Sequence, residues 1–480
     1  MNLLFICTDE QRPDTMACYG NTQIDVPNLN RLADASVAIR SAYCTQPWCT
    51  PSRSSILTGL YPHATGCTSN HLPLRADVRT IAEMLPSDYL CGYFGKWHLG
   101  DEVAAQHGFT VWRSYQDHIR RILYSRPEYL DMLSGYHHFL VANGYEPTVE
   151  EMGARVFTNA DMHGLPEPHT IAAYVANETV QFIEQNAGNR PWMAQAHFHE
   201  PHPPFESPYD DWHDPATIQR GPAFARIPDE RAPYIIRTEA EHNRHARLNG
   251  CDLGTEAGWR GITARYWGLM KLVDNQLGRI LGALERSGQS DNTIVIYTSD
   301  HGEMAGDHGL VGKHVQYEPS VRVPFLVRDP RIGSTHRMVE GRFSQIDLVP
   351  TMLDLLKVEI PDGLHGVSRA AALRGDTELT GDVFIQWEDT DLNFPGANTA
   401  TDLFFTVRAA APRRTVVTQD GWKLNLYEAD DHELYHLPSD PHELNNVIED
   451  PAHAERIRDL RERIVQCGRR VNDPFEVPAL

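Results

Sequence analysis

The chain has 480 residues, 41% hydrophobic and 22% charged, which is enough apolar content for a large buried core and argues against general disorder. Its 65 acidic residues outnumber 43 basic ones, and the formal net charge of −22 repels nucleic acid and anionic membranes. Without any Lys/Arg-rich run to offset this charge, we expect neither a nucleic-acid partner nor a membrane partner.

The amino terminus and the cysteines indicate the compartment. Met1–Asp9 has no basic leader and only a short apolar run that ends at an acid, so it does not resemble a secretion signal. No segment approaches the roughly 18 apolar residues needed to span a bilayer. The eight cysteines show neither a CxxC pair nor zinc-ligand spacing. These features predict a cytoplasmic protein with reduced thiols.

Four apolar runs predict buried strands, in chain order Leu3–Cys7, Tyr89–Phe94, Trp192–Phe198 and Thr293–Thr298. Near-continuous apolar strands are typical of parallel sheets that helices cover on both faces. Each run is followed by polar residues, and in doubly wound sheets ligand sites lie beyond the carboxyl ends of the strands. A site at that edge is therefore expected.

Helical periodicity is clearest at Ile262–Arg286, with a second helix predicted at Ile346–Leu356. The stretches 100–190 and 203–260 are rich in His, Tyr, Pro and Asp and lack clear periodicity. We interpret both as insertions and loops that shape a pocket.

The pattern changes after about residue 370. Asp382–Trp387, Arg414–Thr418 and Trp422–Tyr427 alternate like antiparallel strands, and a helix follows near Pro451–Cys467. The predicted fold is therefore a large, doubly wound, mostly parallel α/β sheet flanked by helices, with a smaller antiparallel sheet plus helix. We place the catalytic domain at 1–370 and the C-terminal α+β subdomain at 371–480.

The most specific motif is the run from Cys49 to Arg53, Cys-Thr-Pro-Ser-Arg, which continues to Gly59. Pro51 in a first turn and Gly59 as a stop predict a short helix that begins at Cys49. The amino end of a helix suits an oxyanion, and Arg53 adds a fork of donors. The motif indicates a nucleophile beside an anion site, whereas a lone cysteine is more often structural.

This motif resembles the signature of type I sulfatases, members of the alkaline phosphatase superfamily, as do the following Leu57–Gly59 and the earlier Val26–Leu32. The resemblance implies that a formylglycine-generating enzyme oxidises Cys49 to formylglycine. The hydrated aldehyde attacks sulfur with one hydroxyl, and its second hydroxyl then lets the sulfate leave by elimination. The implied reaction is hydrolysis of a small-molecule sulfate monoester to an alcohol and inorganic sulfate.

Asp9 and Glu10 follow the first predicted strand, and Asp300 and His301 follow the fourth. We expect them to hold one divalent cation against Cys49, although each aspartate alone also suits a turn. In sulfatases the matching pairs are usually Asp-Asp and Asp-Asn, and the metal is usually calcium. Here the length of Glu10 leaves its direct coordination open. Calcium is the first choice, with manganese and magnesium as alternatives, and the imidazole of His301 favours manganese or another transition metal.

The resemblance also assigns the residues around the sulfate. Lys313 and His202 contact the leaving-group side as acid or electrostatic stabiliser. His98 orients the diol and assists the elimination, and Lys96 bridges the diol to the sulfate. His199 and His314 are expected to be structural, although His199 is close enough to His202 in the sequence to compete for its role.

Two other functions remain open. A phosphonate monoester or phosphodiester hydrolase of the same superfamily shares the formylglycine motif and the Asp-His pair, but Lys96-Trp97-His98 resembles the sulfatase version of that strand end. A binding protein that has lost the modification is a different class. Nothing favours it, because every expected catalytic position is filled.

Overall fold

The computed structural model describes residues 1–70, 72–117, 125–333, 336–389 and 403–478, without the side chains of 403–406. Its strands, in chain order, are β1 Asn2–Thr8, β2 Val37–Tyr43, β3 Leu90–Gly95, β4 Val111–Arg113, β5 Val149–Glu151, β6 Ala154–Val156, β7 Trp192–His197, β8 Arg247–Leu248, β9 Cys251–Asp252, β10 Thr293–Ser299, β11 Arg322–Val323, β12 Phe325–Arg328, β13 Arg337–Ser344, β14 Val383–Trp387, β15 Arg413–Val417, β16 Trp422–Tyr427 and β17 Glu433–His436.

The α-helices are interspersed with these strands. They span Pro27–Asp34, Cys49–Thr58, Pro62–Thr65, Ile81–Met84, Gly135–Ala142, Asn159–Met162, Ile171–Gln185, Tyr234–Asn243, Glu256–Arg286, Glu318–Val321, Leu348–Leu356, Ala370–Arg374, Leu403–Ala410 and Ala454–Val471. Among the described helices, none combines the length and the apolar character needed to cross a membrane.

The large sheet has the strand order β11-β2-β12-β10-β1-β7-β3-β4, with β13 paired to β2. The central strand β1 runs parallel to β10 and β7, and β3 runs parallel to β7 and β4. Only β11 and β12 pair antiparallel with their neighbours in this sheet as described. The predicted fold class, a large and mostly parallel sheet flanked by helices, is confirmed.

Both faces of the sheet are covered, which explains the unbroken apolar runs. Leu4 and Ile6 of β1 pack into one core with helices Ile171–Gln185 and Glu256–Arg286. Leu3 and Phe5 face a second core, which helices Cys49–Thr58 and Leu348–Leu356 complete. Because helices cover both faces of the sheet, polar side chains can lie together only at the strand ends.

The interpretation of 100–190 and 203–260 as loops is wrong in part. Helix Ile171–Gln185 lies in the first stretch and helix Tyr234–Asn243 in the second. Residues 171–176 of helix Ile171–Gln185 are all buried, so this part of the sequence lacks the polar stripe with helical period that marks an amphipathic helix. The long predicted helix also starts earlier, at Glu256, where the Thr255 side chain accepts a hydrogen bond from the amide of Gly258.

The second sheet is antiparallel, in the order β14-β15-β16-β17, and confirms the predicted small C-terminal sheet. Helix Ala454–Val471 packs on it through Ile457, Leu460 and Ile464. The sheet also contacts the large domain, because the amide of Gln386 donates to the carbonyl of Thr45 at 2.7 Å. The domain boundary at residue 370 stays a prediction.

Candidate active site

The carboxyl ends of β1, β3, β7 and β10 bring the polar residues together. The amide of Asp300 donates to the carbonyl of Thr8, and the amide of Lys96 donates to the carbonyl of His197. Adjacent parallel strands therefore deliver the residues that follow them to one edge, as the sequence predicted. Almost all of the side chains predicted for the site are buried there.

Helix Cys49–Thr58 begins at Cys49 and ends at Gly59, whose φ of 73° lies in the left-handed region that favours glycine. Its first-turn amides are less available than expected for an oxyanion site. The amide of Thr50 already donates to Asn70 Oδ1 at 2.9 Å, and Pro51 has no N–H. The positive charge around Cys49 therefore comes mainly from side chains.

Four predicted metal residues converge on one point. The ligand atoms of Asp9, Cys49, Asp300 and His301 all lie within 4.8 Å of one another, and all four side chains are buried. His301 Nε2 is 3.3 Å from Cys49 Sγ, 3.8 Å from Asp9 Oδ1 and 3.7 Å from Asp300 Oδ1. Both carboxylates thus direct Oδ1 at the same place.

The tautomer of His301 leaves a lone pair on Nε2, the atom that faces Cys49 and the two carboxylates. His301 Nδ1 lies 3.0 Å from the carbonyl of Gly302, an acceptor that only a protonated nitrogen can bond. Nε2 is therefore the unprotonated nitrogen when the ring is neutral, the form that binds metals.

Arg53 holds the outer oxygens of the two carboxylates. Its Nη2 donates to Asp9 Oδ2 and its Nε donates to Asp300 Oδ2, both at 3.0 Å. Its Nη1 donates to the carbonyl of Lys96 and to His197 Nδ1. The side chain is fully buried, so the fork expected to face an oxyanion instead orients the two carboxylates.

Sequence reasoning missed two buried polar residues that support this cluster. His197 accepts from Arg53, while its Nε2 donates to Gln195 Oε1 at 2.8 Å. Gln345 Nε2 donates to the carbonyls of Ser299 and Asp300 at 2.8 Å. Gln195 and His197 are polar residues in the otherwise apolar strand β7, and this pattern could have predicted their role from the sequence. Nothing comparable marks Gln345.

Nearby cations decide the charge of the cluster. Burial disfavours a thiolate, yet Lys313 and Lys96 outweigh it and hold the pKa of the Cys49 thiol well below its usual value. At Asp300 the balance is opposite, because burial and repulsion from Asp9 raise the pKa of its carboxyl. Two crowded carboxylates in a dry site are the environment that an additional cation stabilises.

Lys96 and His98 lie beside the nucleophile. Lys96 Nζ is 3.7 Å from Cys49 Sγ and 2.5 Å from Asp9 Oδ2. Because an ammonium has three N–H donors, these two contacts leave one for a substrate oxygen within the part of the chain that the structure describes. Burial lowers the pKa of His98 to about 4, so its imidazole is neutral at pH 7 and can accept a proton.

Glu10 lies with the leaving-group residues rather than in the four-residue cluster. Its Oε2 is 2.5 Å from Lys313 Nζ and 3.4 Å from His202 Nε2. Burial opposes the charge on Lys313, but Cys49 and Glu10 raise the pKa of its ammonium above the usual value. Glu10 therefore ties together the two residues that the resemblance assigns to the leaving group.

This placement predicts that Glu10→Gln keeps its metal. The amide preserves the size of the side chain, and the atoms that converge on His301 Nε2 are untouched. Metal analysis of the purified variant should match the parent protein, while turnover falls because Lys313 loses its anionic partner. A loss of metal as severe as that caused by removing Asp300 would show instead that Glu10 is a ligand.

Comparison with known proteins agrees with this site. Residues 1–358 match the sulfatase family, and residues 306–470 match the family described as N-sulphoglucosamine sulphohydrolase, C-terminal. The uncharacterized sulfatase YidJ of Escherichia coli is 28% identical, over 99% of this chain and 88% of that protein. An arylsulfatase of Clostridium perfringens is 26% identical, over 97% and 94%.

A solved structure has a similar fold. The phosphonate monoester hydrolase SpPMH from Silicibacter pomeroyi superposes with a TM-score of 0.78 at 25% identity, over 98% of this chain and 96% of that one. Since the family match spans residues 1–358, the chain belongs to the sulfatase family of the alkaline phosphatase superfamily. It is a sulfuric ester hydrolase.

Proposed function

We propose that this protein hydrolyses small-molecule sulfate monoesters, whether aryl, alkyl or sugar sulfates, with a formylglycine made from Cys49 and one bound divalent cation. The observation that carries the proposal is the convergence of Cys49 Sγ, both Oδ1 atoms and His301 Nε2 at one buried point. Cys49 Sγ stands where the aldehyde oxygen would lie after conversion. A formylglycine-generating enzyme is the maturation partner that this chemistry requires.

The residues present suit a divalent cation. Asp9, Asp300 and His301 would hold it, with the modified Cys49 completing the set, and when bound it would supply positive charge against the nucleophile and the sulfate oxygens. Carboxylate oxygens favour calcium, the first choice from the sequence, whereas the imidazole favours manganese. Metal analysis of the purified protein separates these two ions.

Other side chains of the site orient the sulfate, accept a proton and stabilise the leaving group. Lys96 orients one sulfate oxygen beside the nucleophile, and neutral His98 accepts a proton there. Lys313, held charged by Glu10, stabilises the negative charge that develops on the departing oxygen, and His202 lies next to it. Arg53 keeps Asp9 and Asp300 in place without contacting substrate.

Phosphonate monoester hydrolysis is the second candidate, favoured by the Asp300-His301 pair and by the likeness to SpPMH. Total charge does not separate the two substrates, since a sulfate monoester and a phosphodiester or phosphonate monoester each carry one negative charge. Shape does: a sulfate monoester has three non-bridging oxygens, whereas a diester carries a second organic group in place of the third. The free donor of Lys96 favours a third oxygen.

We therefore expect a higher kcat/KM for an aryl sulfate than for the matched phosphodiester or phosphonate monoester. Lys96→Ala should lower the sulfate reaction by roughly 30-fold or more, since removing one partner of a buried hydrogen-bonded charge pair costs about 2–5 kcal/mol. The diester reaction should fall much less. The measurement is kcat/KM for matched nitrophenyl esters with both proteins.

Lys271→Ala is the matched control, because Lys271 pairs with Asp25 outside the proposed site. It should leave the ratio of the two reactions unchanged. A parent protein that prefers the diester, together with little response to Lys96→Ala, would assign the chain to phosphonate or phosphodiester hydrolysis.

A further inference from the structure

Arg413, on strand β15 of the C-terminal sheet, carries a buried positive charge. It is 2% exposed, and within the described residues no acidic side chain pairs with it within 4.0 Å. Burial lowers the pKa of its guanidinium. A buried charge is costly unless surrounding groups compensate it, so the groups that Arg413 contacts show what its charge serves.

The contacts of Arg413 lead to the active site. Its Nη1 donates to the carbonyl of His314 at 2.9 Å, and its Nη2 donates to the carbonyl of Ala409 at 2.7 Å. His314 directly follows Lys313. The guanidinium also lies over the rings of Trp387 and Tyr427, its neighbours on the adjoining strands, at 5.1 and 5.3 Å from the ring centroids.

The backbone at His314 needs such support. His314 has a φ of 80° and Gly312 has a φ of 82°, so left-handed residues flank Lys313 on both sides. Glycine adopts this conformation freely, but a residue with a Cβ persists in it only where surrounding contacts impose it. The hydrogen bond from Arg413 to the His314 carbonyl is such a contact.

The same contacts reach the start of the nucleophile helix. Trp387 stacks on Trp48 with ring centroids 5.4 Å apart and planes at 21°. The ring of His314 packs edge-on against Trp48 at 5.5 Å and against Trp387 at 5.3 Å. Trp48 directly precedes Cys49, so this packing joins both catalytic segments to the C-terminal sheet.

We propose that Arg413 is a positioning residue for Lys313: by holding the His314 carbonyl, it fixes the Lys313 ammonium beside Glu10 on the leaving-group side. The C-terminal sheet thereby contributes to catalysis rather than only covering the fold. This inference rests on the proposed sulfatase function, because it assigns Lys313 to the departing oxygen.

The test is the dependence of rate on the leaving group. Arg413→Met keeps a long side chain but removes the charge and the hydrogen bonds to the carbonyls of His314, Ala409 and Arg408. It should lower kcat roughly tenfold or more for phenyl sulfate, whose poor leaving group needs the charge of Lys313, and far less for 4-nitrophenyl sulfate. A change in packing alone would slow both esters equally.

Arg414→Met is the matched control. Arg414 is the next residue of the same strand and is similarly buried, but its guanidinium binds Asp473 at 2.6 Å and the carbonyl of Trp387 at 3.1 Å rather than the carbonyl of His314. This variant should keep the parent's ratio of the two rates, even if its thermal unfolding temperature falls.

Arg413→Lys is the second variant, and it retains the charge but not the paired guanidinium donors. It should give a ratio of the two rates between those of the parent and Arg413→Met, and it decides the question if Arg413→Met does not fold.

Equal losses for both esters in the Arg413 variants, or a ratio that matches Arg414→Met, would overturn the positioning role while leaving the sulfatase proposal intact. A parent protein that is fully converted at Cys49 and hydrolyses neither sulfate would overturn both.

Discussion

Cys49→Ala is expected to abolish turnover of sulfate esters, lowering kcat by roughly three orders of magnitude or more, as removal of a covalent nucleophile does in other hydrolases. Alanine cannot be converted to an aldehyde. The fold should persist, because Cys49 begins a helix that buried contacts hold along its length. Sulfate should still bind, since Lys96 and Lys313 remain. The measurements are kcat with an aryl sulfate and binding of inorganic sulfate by calorimetry.

Cys67→Ala controls for the loss of a buried thiol. Cys67 is fully buried in the core on the side of the sheet that helix Cys49–Thr58 covers, and its thiol neighbours Thr65 and Ser54 are not proposed catalytic groups. It should retain nearly full activity. Substantial hydrolysis by Cys49→Ala would show that another group attacks sulfur.

Asp300→Ala is expected to give the largest loss of bound metal. It removes the Oδ1 that lies 3.7 Å from His301 Nε2, and it leaves Arg53 without one of its two carboxylates. A divalent cation depends on its charged oxygens, so metal content and activity should fall together. Chelation of the parent protein should likewise abolish turnover. Elemental analysis and kcat on the same samples provide the measurement.

Asp274→Ala is the matched control for this variant. Asp274 is also fully buried, but its carboxylate accepts from the amide of Leu29 at 2.7 Å and from the side chain of Asn28 at 3.0 Å, away from the proposed site. Its removal should lower stability without changing the metal content per folded protein. Full activity in demetallated parent protein would contradict the metal site itself.

The residues at the strand ends were predictable because the signal is local. A buried strand followed by Asp9 or Asp300 is visible within a few letters, and parallel strands place their carboxyl ends together. The helix at Cys49 was equally local, with Pro51 and Gly59 marking its limits. The position of these residues directly after predicted strands was therefore enough to identify them as members of one site.

The partners of these residues were not predictable, because they depend on distant segments. A guanidinium such as that of Arg53 suits an oxyanion, yet its N–H donors bind the carboxylates of Asp9 and Asp300, which follow strands that are far apart in the chain. The carboxylate of Glu10 suits a metal ligand, and its contact with the ammonium of Lys313, more than 300 residues away, could not be read from the sequence. Side-chain orientation at a crowded edge is set by packing that no short motif encodes.

The mass of the peptide that contains Cys49 tests the central claim most directly. Protein produced together with a formylglycine-generating enzyme should carry an aldehyde at residue 49, a side chain that has lost sulfur and gained oxygen. The fraction converted should rise in step with the rate of sulfate ester hydrolysis across preparations. A peptide that keeps an intact thiol in fully active protein would contradict the account.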